Sequence, residues 1–371
     1  MHSKKKIPIF HPYVSNEAIN NVVKVLTSRW IGQGDLVEEF EKALEKQLKL
    51  KNVVLVNSSS SALRLALSII GVKPGNEVIT TPMTCTLTNH PILEQFAKPI
   101  FADIKYESGN IDASDIEHRI TAKTKAIICT HWGGMPCDLD EIHQIAKRNG
   151  LAVIEDASEA IGAKYKDKPI GNISPFTVFS FQAIQIITTG EGGALVTTNI
   201  KNSDLARIQR WFGIDRKRRR PNKVGYYDFD IKYIGFGFYS TNLNSALGLA
   251  NISHLSELLK YRQKIADKYY SELSKVKGIN LFKRYTDRRS SNHFFTVHVQ
   301  NRNNFCKKMA DYGIEVSIVH YRNDNYTIFG GLRKDLPNLD RFSQSYIALP
   351  NHMSLSLDDV DYIISTIKSG W

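Results

Sequence analysis

Three short stretches concentrate side chains able to do chemistry. In LVNSSSSALRLALSII an apolar strand runs into Asn57 and four serines, Ser58 to Ser61, and a helix is expected to open at about Ser61. Unpaired N–H groups and hydroxyls at a helix start, aided by the helix dipole, make a seat for a phosphate; an ordinary serine N-cap is the plainer reading. AVIEDASEAIG places Asp156 just past a buried strand, where α/β sheets gather functional groups. A carboxylate there can stabilise a protonated ring nitrogen, or merely cap the helix that follows. FSFQAIQIITTGEGGALVTT reads as strand, polar turn and strand, with Ser180 and Gln185 five residues apart and a glycine-bearing turn from Gly190 to Gly193. By itself that segment is an ordinary β-hairpin.

The elements that must position these groups follow from periodicity. VSNEAINNVVKVLTS offers Ser15 as N-cap ahead of apolar residues at helical spacing, and DLVEEFEKALEKQLKL repeats the pattern with an acidic first turn. VVLV, EVITT, PIFADI, AIICT and AVIED are short β-rich runs separated by helical stretches, which predicts a largely parallel sheet in an α/β domain over residues 1–250. Beyond residue 250 the amphipathic HLSELLKYRQKIADKYYSELSKV, the strand HFFTVHV and a last helix in DDVDYIISTIKSG predict a smaller α+β domain over residues 251–371.

The three chemical segments stand in the order and approximate spacing of a fold-type I enzyme dependent on pyridoxal 5'-phosphate (PLP). The chain resembles the DegT/DnrJ/EryC1/StrS family of nucleotide-sugar aminotransferases over essentially its whole length. The matching pieces are SRWIGQGDLVEEFE, VNSSSSALRLAL, TPMTCTLTNHPILEQFAKPIFADI, HWGGMPCDLDEI, VIEDASEAIGA, FSFQAIQIITTGEGGALVTT, GFGFYSTNLNSALGLANI and ALPNHMSLSLDDVDYII. The resemblance implies a PLP or pyridoxamine phosphate cofactor, with Ser59, Ser60 and Ser180 on its phosphate and Asp156 facing the pyridine nitrogen. Glu159 stands where the family has Gln or His near the phenolic oxygen. A carboxylate there needs a proton, or it repels a phenolate.

Other positions depart from the pattern. Cys85 replaces an aromatic ring that stacks on the pyridine face. Tyr239 replaces the Arg, Asn or His that reaches the phosphate from a neighbouring subunit. Gln185 stands where the family has its Schiff-base lysine, and an amide is neither nucleophilic nor basic enough for that task. Three readings stand open at Gln185: an introduced Lys→Gln substitution that would let a substrate–cofactor adduct accumulate, a member with altered chemistry as in the related sugar 3-dehydratases, or a homologue that binds PLP or nucleotide sugar without turnover. The resemblance further implies a keto nucleotide sugar as acceptor, an amino acid, expected to be L-glutamate, as donor, and a homodimer with shared sites. Substrate contacts are expected from Trp30, Gln33, His131, Trp132, Arg219, His320 and Arg322, with Asn323 beside the last.

Composition bounds the remaining classes. The chain has 371 residues, enough for two cores, and its 49 Lys and Arg against 37 Asp and Glu give a net charge of +12 that favours anionic partners. RKRRR, Arg216 to Arg220, is suited to a diphosphate, but no recognition motif or stacking-aromatic pattern accompanies it, so nucleic acid is not expected. Cys85, Cys129, Cys137 and Cys306 lack CxxC spacing, which signals neither disulfides nor a metal site and fits a reducing cytoplasm. No apolar run approaches the roughly 20 residues that cross a bilayer, so no membrane partner is expected.

Overall fold

A computed structural model describes residues 6–371. Ser15 accepts the Ala18 N–H and caps α1 (Asn16–Ser28); α2 (Asp35–Leu48) follows with Asp35 and Glu38 in its first turn. The main sheet has seven strands in the order β1 (Val53–Val56), β9 (Gly193–Thr197), β8 (Phe176–Ser180), β5 (Ala152–Asp156), β4 (Thr124–Thr130), β2 (Glu77–Thr80) and β3 (Lys98–Phe101). Pairing is parallel from β8 through to β3, and only β9 runs against its neighbours. The C-terminal ends of the other strands, and the beginning of β9, therefore share one edge.

Both faces of this sheet are covered. Val53, Leu55, Ile127 and Val153 pack into one core with Phe40 and Leu44 of α2, while Val54, Val56, Ile128 and Ile154 pack into another. That second core takes Leu63 and Leu67 of α3 (Ser59–Ile70) and Ile92 of α4 (Thr86–Glu94). Burial on both faces is why these strands read as continuous apolar runs without alternation. The remaining helices of this part are α5 (Ala113–Arg119), α6 (Leu139–Asn149), α7 (Ile200–Arg210) and α8 (Asn242–Ile252). Helix α3 begins at Ser59, capped by Ser58, two residues ahead of the expected start.

Beyond α9 (Leu255–Leu273) lies an antiparallel sheet of β12 (Ile279–Leu281), β14 (Phe295–Val299) and β15 (Tyr346–Leu349), with α10 (Arg302–Asp311), α11 (Pro337–Ser345) and α12 (Leu357–Lys368). Its core also contains Ile7, whose N–H and C=O bond Gly313 and Glu315, so the first described residues pack with the C-terminal unit. Two features join the units. Short strands β6 (Lys164–Tyr165) and β7 (Lys168–Pro169) extend to β13 (Arg288–Arg289), and an aromatic seam of Met83, Phe101 and Trp132 meets Phe294, Phe342 and Tyr346. A hairpin of β10 (Arg220–Pro221) and β11 (Tyr227–Asp228) projects outward. No helix of the described residues is long and apolar enough to cross a membrane.

One buried ion cluster fixes α2 and α7 against β1. Glu41 of α2 accepts from Arg207 at 2.5 Å, from Arg210 at 2.6 Å and from the Leu55 N–H at 2.9 Å. Burial pushes the Arg210 guanidinium below its ordinary value, and Glu41 opposes that push. Removing one partner of such a pair strands the other charge in the core. Glu41→Ala is therefore expected to lower unfolding stability by about 3–5 kcal/mol in chemical denaturation; a loss below about 1 kcal/mol would mean that water reaches Arg210 freely.

Candidate active site

At the shared sheet edge, the first turn of α3 meets the start of β9. Ser58 Oγ accepts the Ser61 N–H, while no acceptor among the described residues meets the N–H of Ser59 or Ser60. Ser180 ends β8 directly opposite Gly193, and its hydroxyl takes only the Gln182 N–H. Gly193 allows the close approach: a Cβ on it would lie 2.5 Å from Ser59 N and from the Ser58 carbonyl carbon. Two free N–H groups and the hydroxyls of Ser59 and Ser180 thus border one anion seat at a helix N-terminus.

Two strands along, Asp156 closes β5 and is nearly fully buried. Its Oδ2 accepts Thr88 Oγ1–H at 2.7 Å, and its Oδ1 accepts Ser158 Oγ–H at 2.6 Å and Ser158 N–H at 3.1 Å. Thr88 is bonded to Thr84, and Thr130 donates to Thr84, so hydroxyls from α4 and β4 set the carboxylate's orientation. No Lys, Arg or His side chain among the described residues pairs with Asp156. A buried carboxylate whose hydrogen bonds all come from neutral groups is placed to receive a cation from outside the chain.

Glu159 lies one turn further on. Its Oε2 accepts the Gly133 N–H at 2.7 Å, and its Oε1 lies 2.9 Å from His320 Nε2, which reaches across from the C-terminal unit. Cys85 precedes α4, and its thiol holds its proton above the ordinary range, first through burial and then through the nearby charges of Asp156 and Glu159. A small thiol thus occupies the space beside these carboxylates.

The loop 181–192 leaves and rejoins the same edge. Phe181 O accepts the Thr189 N–H at 2.9 Å, and Asn244 and Asn251 of α8 donate to the carbonyls of Thr189 and Thr188. Gln185 sits half-buried in the turn, where its N–H bonds Gln182 O at 3.0 Å and its side-chain amide has no hydrogen-bond partner among the described residues.

Several expected substrate contacts are supports instead. His131 is fully buried: Nδ1 accepts the Cys137 N–H at 3.1 Å, which leaves Nε2 to donate to Glu155 at 2.8 Å, so neither nitrogen can meet a substrate. Trp132 is buried in the aromatic seam, donates to Thr296 Oγ1, and packs its ring edge-on to His320 at 5.8 Å. Arg322 spends its guanidinium on Asp324, with two bonds of 2.7 Å, and on Asp340. Asn323 is fully buried and ties the C-terminal unit to Pro82 O, Thr84 O and Asn89. Each looked accessible because a polar residue after a strand reads the same whether it faces a pocket or a packed neighbour.

Other positions lie apart from the carboxylates within this chain. Trp30 is 69% exposed beside α8, and Gln33 is half-buried with its Oε1 unpartnered. Arg219 stacks over Tyr227 at 4.4 Å on the hairpin. Tyr239 bridges to Val56 and packs on Trp211, with ring centroids 4.3 Å apart. Thr88 and Gly133 were not singled out from sequence, and Gly193 was read only as the end of a glycine-bearing hairpin turn.

The sequence pattern of the DegT/DnrJ/EryC1/StrS aminotransferase family matches residues 12–368. This chain belongs to that family. It is 31% identical to the GDP-perosamine synthase of Escherichia coli O157:H7, over 98% of each protein. Its fold superimposes on AtS13 of Actinomadura melliaura with a TM-score of 0.95, at 36% identity and full coverage of both chains. The Streptococcus pneumoniae sugar aminotransferase Spr1654, solved in PLP and pyridoxamine phosphate forms, matches in its PLP form with a TM-score of 0.92, at 28% identity over 98% of each chain. The family fold is a fold-type I α/β architecture, and its cofactor is PLP.

The residues present fit that cofactor except at one point. The seat of Ser59, Ser60 and Ser180 suits its phosphate, and the unpaired carboxylate of Asp156 suits a protonated pyridine nitrogen. Gln185 cannot tether it covalently. Gly193→Ala should break the seat, because the added methyl must push α3 away from β9. PLP affinity, read by fluorescence titration, is expected to fall at least about tenfold; unchanged affinity would place the phosphate elsewhere.

Proposed function

We propose that the chain binds PLP, or pyridoxamine 5'-phosphate, without a covalent tether, and that its reaction class is amino transfer from L-glutamate to a keto nucleotide sugar. The observation that supports this most directly is the pairing of an intact anion seat and an unpaired Asp156 with a neutral amide at residue 185. When bound, the cofactor supplies an electron sink that makes the donor's α-hydrogen acidic. Asp156 stabilises the protonated ring that this requires, and Thr88 and Ser158 keep the carboxylate aimed. Turnover would need a basic side chain at residue 185 to take up and return a proton, which the Gln185 amide cannot do, so the chain as it stands is expected not to complete turnover. The basic run at Arg216–Arg220, including Arg219, offers charge for a nucleotide's diphosphate. Trp30 and Tyr239 would meet a second subunit's site. The exposed apolar side chains Ile19, Val23 and Leu26 on α1, with Trp30 and Ile31 beyond it, suit a homodimer, and sedimentation should give twice the chain mass.

Borohydride treatment of the PLP-loaded protein followed by mass analysis should find no phosphopyridoxyl group on the 181–192 peptide, whereas Gln185→Lys should acquire one and transfer amino groups to keto nucleotide sugars. A lysine variant that binds the cofactor covalently, keeps its fold and shows no transfer with any keto sugar would favour a binding protein over an enzyme.

In that lysine background, Asp156→Asn keeps the size and removes the charge. The first half-reaction with glutamate should then slow by about two to four orders of magnitude in single-turnover kinetics. An unchanged rate would return Asp156 to a structural capping role.

A further inference from the structure

The geometry of Glu159 raises a problem of charge that His320 resolves. Pyridoxal phosphate carries its phosphate arm and its ring oxygen on opposite flanks of the carbon that bears the aldehyde, with the ring nitrogen across from that carbon. If the phosphate sat on the β1, β9 and β8 side, at Ser59, Ser60 and Ser180, and the nitrogen at Asp156 on β5, the ring oxygen would face along the sheet towards β4. That is where Gly133 and Glu159 meet. A bare carboxylate at this point would oppose an ionised ring oxygen in a site already holding Asp156.

Glu159 is not bare. Its Oε2 takes the Gly133 N–H at 2.7 Å, and its Oε1 lies 2.9 Å from His320 Nε2. His320 retains only 18% side-chain exposure, and its place is set from two sides. The edge of Trp132 packs on its ring, and the Tyr346 hydroxyl donates to its backbone carbonyl. The other titratable groups around the pair are Asp156 at the end of β5, Cys85 ahead of α4, His293 before β14 and Tyr346 on β15. The Cys85 thiol feels both carboxylates, while burial first, then the charge of Arg262 and last that of His320 keep His293 neutral; the Arg262 guanidinium itself is spent on the backbone carbonyls of His293 and Asn351. His320 is therefore the one side chain among these that can carry positive charge against Glu159.

We propose that His320, donated by the C-terminal unit, is the charge-compensating partner of Glu159, so that the pair presents no net negative charge to the cofactor's ring oxygen. His320 is a positioning residue in this role: it acts through Glu159 and need not touch the cofactor. The assignment rests on PLP occupying the site in the orientation derived above. It also gives the C-terminal unit a direct electrostatic part in cofactor binding, since a displacement of the 317–325 segment would uncover the Glu159 charge.

The test uses the protein with Gln185 in place and reads PLP binding by absorbance and fluorescence, so it does not depend on turnover. His320→Asn keeps a hydrogen-bond donor and removes the capacity for charge. At neutral pH its PLP dissociation constant should rise about tenfold or more, because Glu159 is left uncompensated. Glu159→Gln combined with His320→Asn removes the charge at both positions and should return the constant to within about threefold of the parent. A purely structural role for His320 would leave the double variant as weak as the single one. That result, or a His320→Asn protein that binds PLP as tightly as the parent, overturns the proposal. Complete loss of PLP binding in Glu159→Gln alone, with the ordered fold retained, would instead show the orientation of the ring to be wrong.

Discussion

The buried carboxylate of Asp156 is the constraint around which the site is arranged. An anion at the end of a central strand is costly unless it is hydrogen-bonded and met by positive charge. The chain supplies the hydrogen bonds, from Thr88 and Ser158, and no Lys, Arg or His among the described residues pairs with the carboxylate. The parallel sheet puts this carboxylate within reach of a helix N-terminus that attracts the opposite kind of group. One edge therefore offers a seat for an anion and a seat for a cation, a few strands apart. A molecule with a phosphate at one end and a basic ring nitrogen at the other satisfies both. Apolar burial on both faces of the sheet holds that spacing without either charged site contributing to the core.

The C-terminal unit completes the arrangement by lying over the same edge. Asn323 bonds two carbonyls and Asn89 near the start of α4, and His320 reaches Glu159, while the aromatic seam around Trp132 keeps the two units in register. His131, Trp132 and Arg322 belong to this framework. Their side chains are spent on Glu155, Thr296 and two aspartates, and what they contribute to the site is the placement of neighbouring backbone and of His320.

Much of this was legible in the sequence, and the limits have physical causes. Helical and strand periodicity located α1, α2 and the parallel strands because burial on one or both faces imposes those patterns. Asp156 and the serine cluster were recognisable because their chemistry is carried by side chains at strand and helix ends. The Gly133 N–H that holds Glu159 is a backbone atom and leaves no mark on residue type. Thr88 looks like any threonine in TCTLT until the fold sets it 2.7 Å from Asp156. The pairing of Glu159 with His320 spans 161 positions and two structural units, a distance over which no local pattern carries information. Exposure failed for a related reason: the sequence after β4 distinguishes polar from apolar, not pocket from interface.

The loop that carries Gln185 is closed on itself and clamped by Asn244 and Asn251, while the side chain of residue 185 makes no hydrogen bond among the described residues. Its side chain is therefore cargo on a prefabricated mount. The architecture prescribes the location of whatever occupies that position but does not depend on its identity for integrity. A single codon is then a sufficient route between amide, imidazole and amine at one fixed point, and a lineage can exchange one kind of reactivity for another without first rebuilding the scaffold.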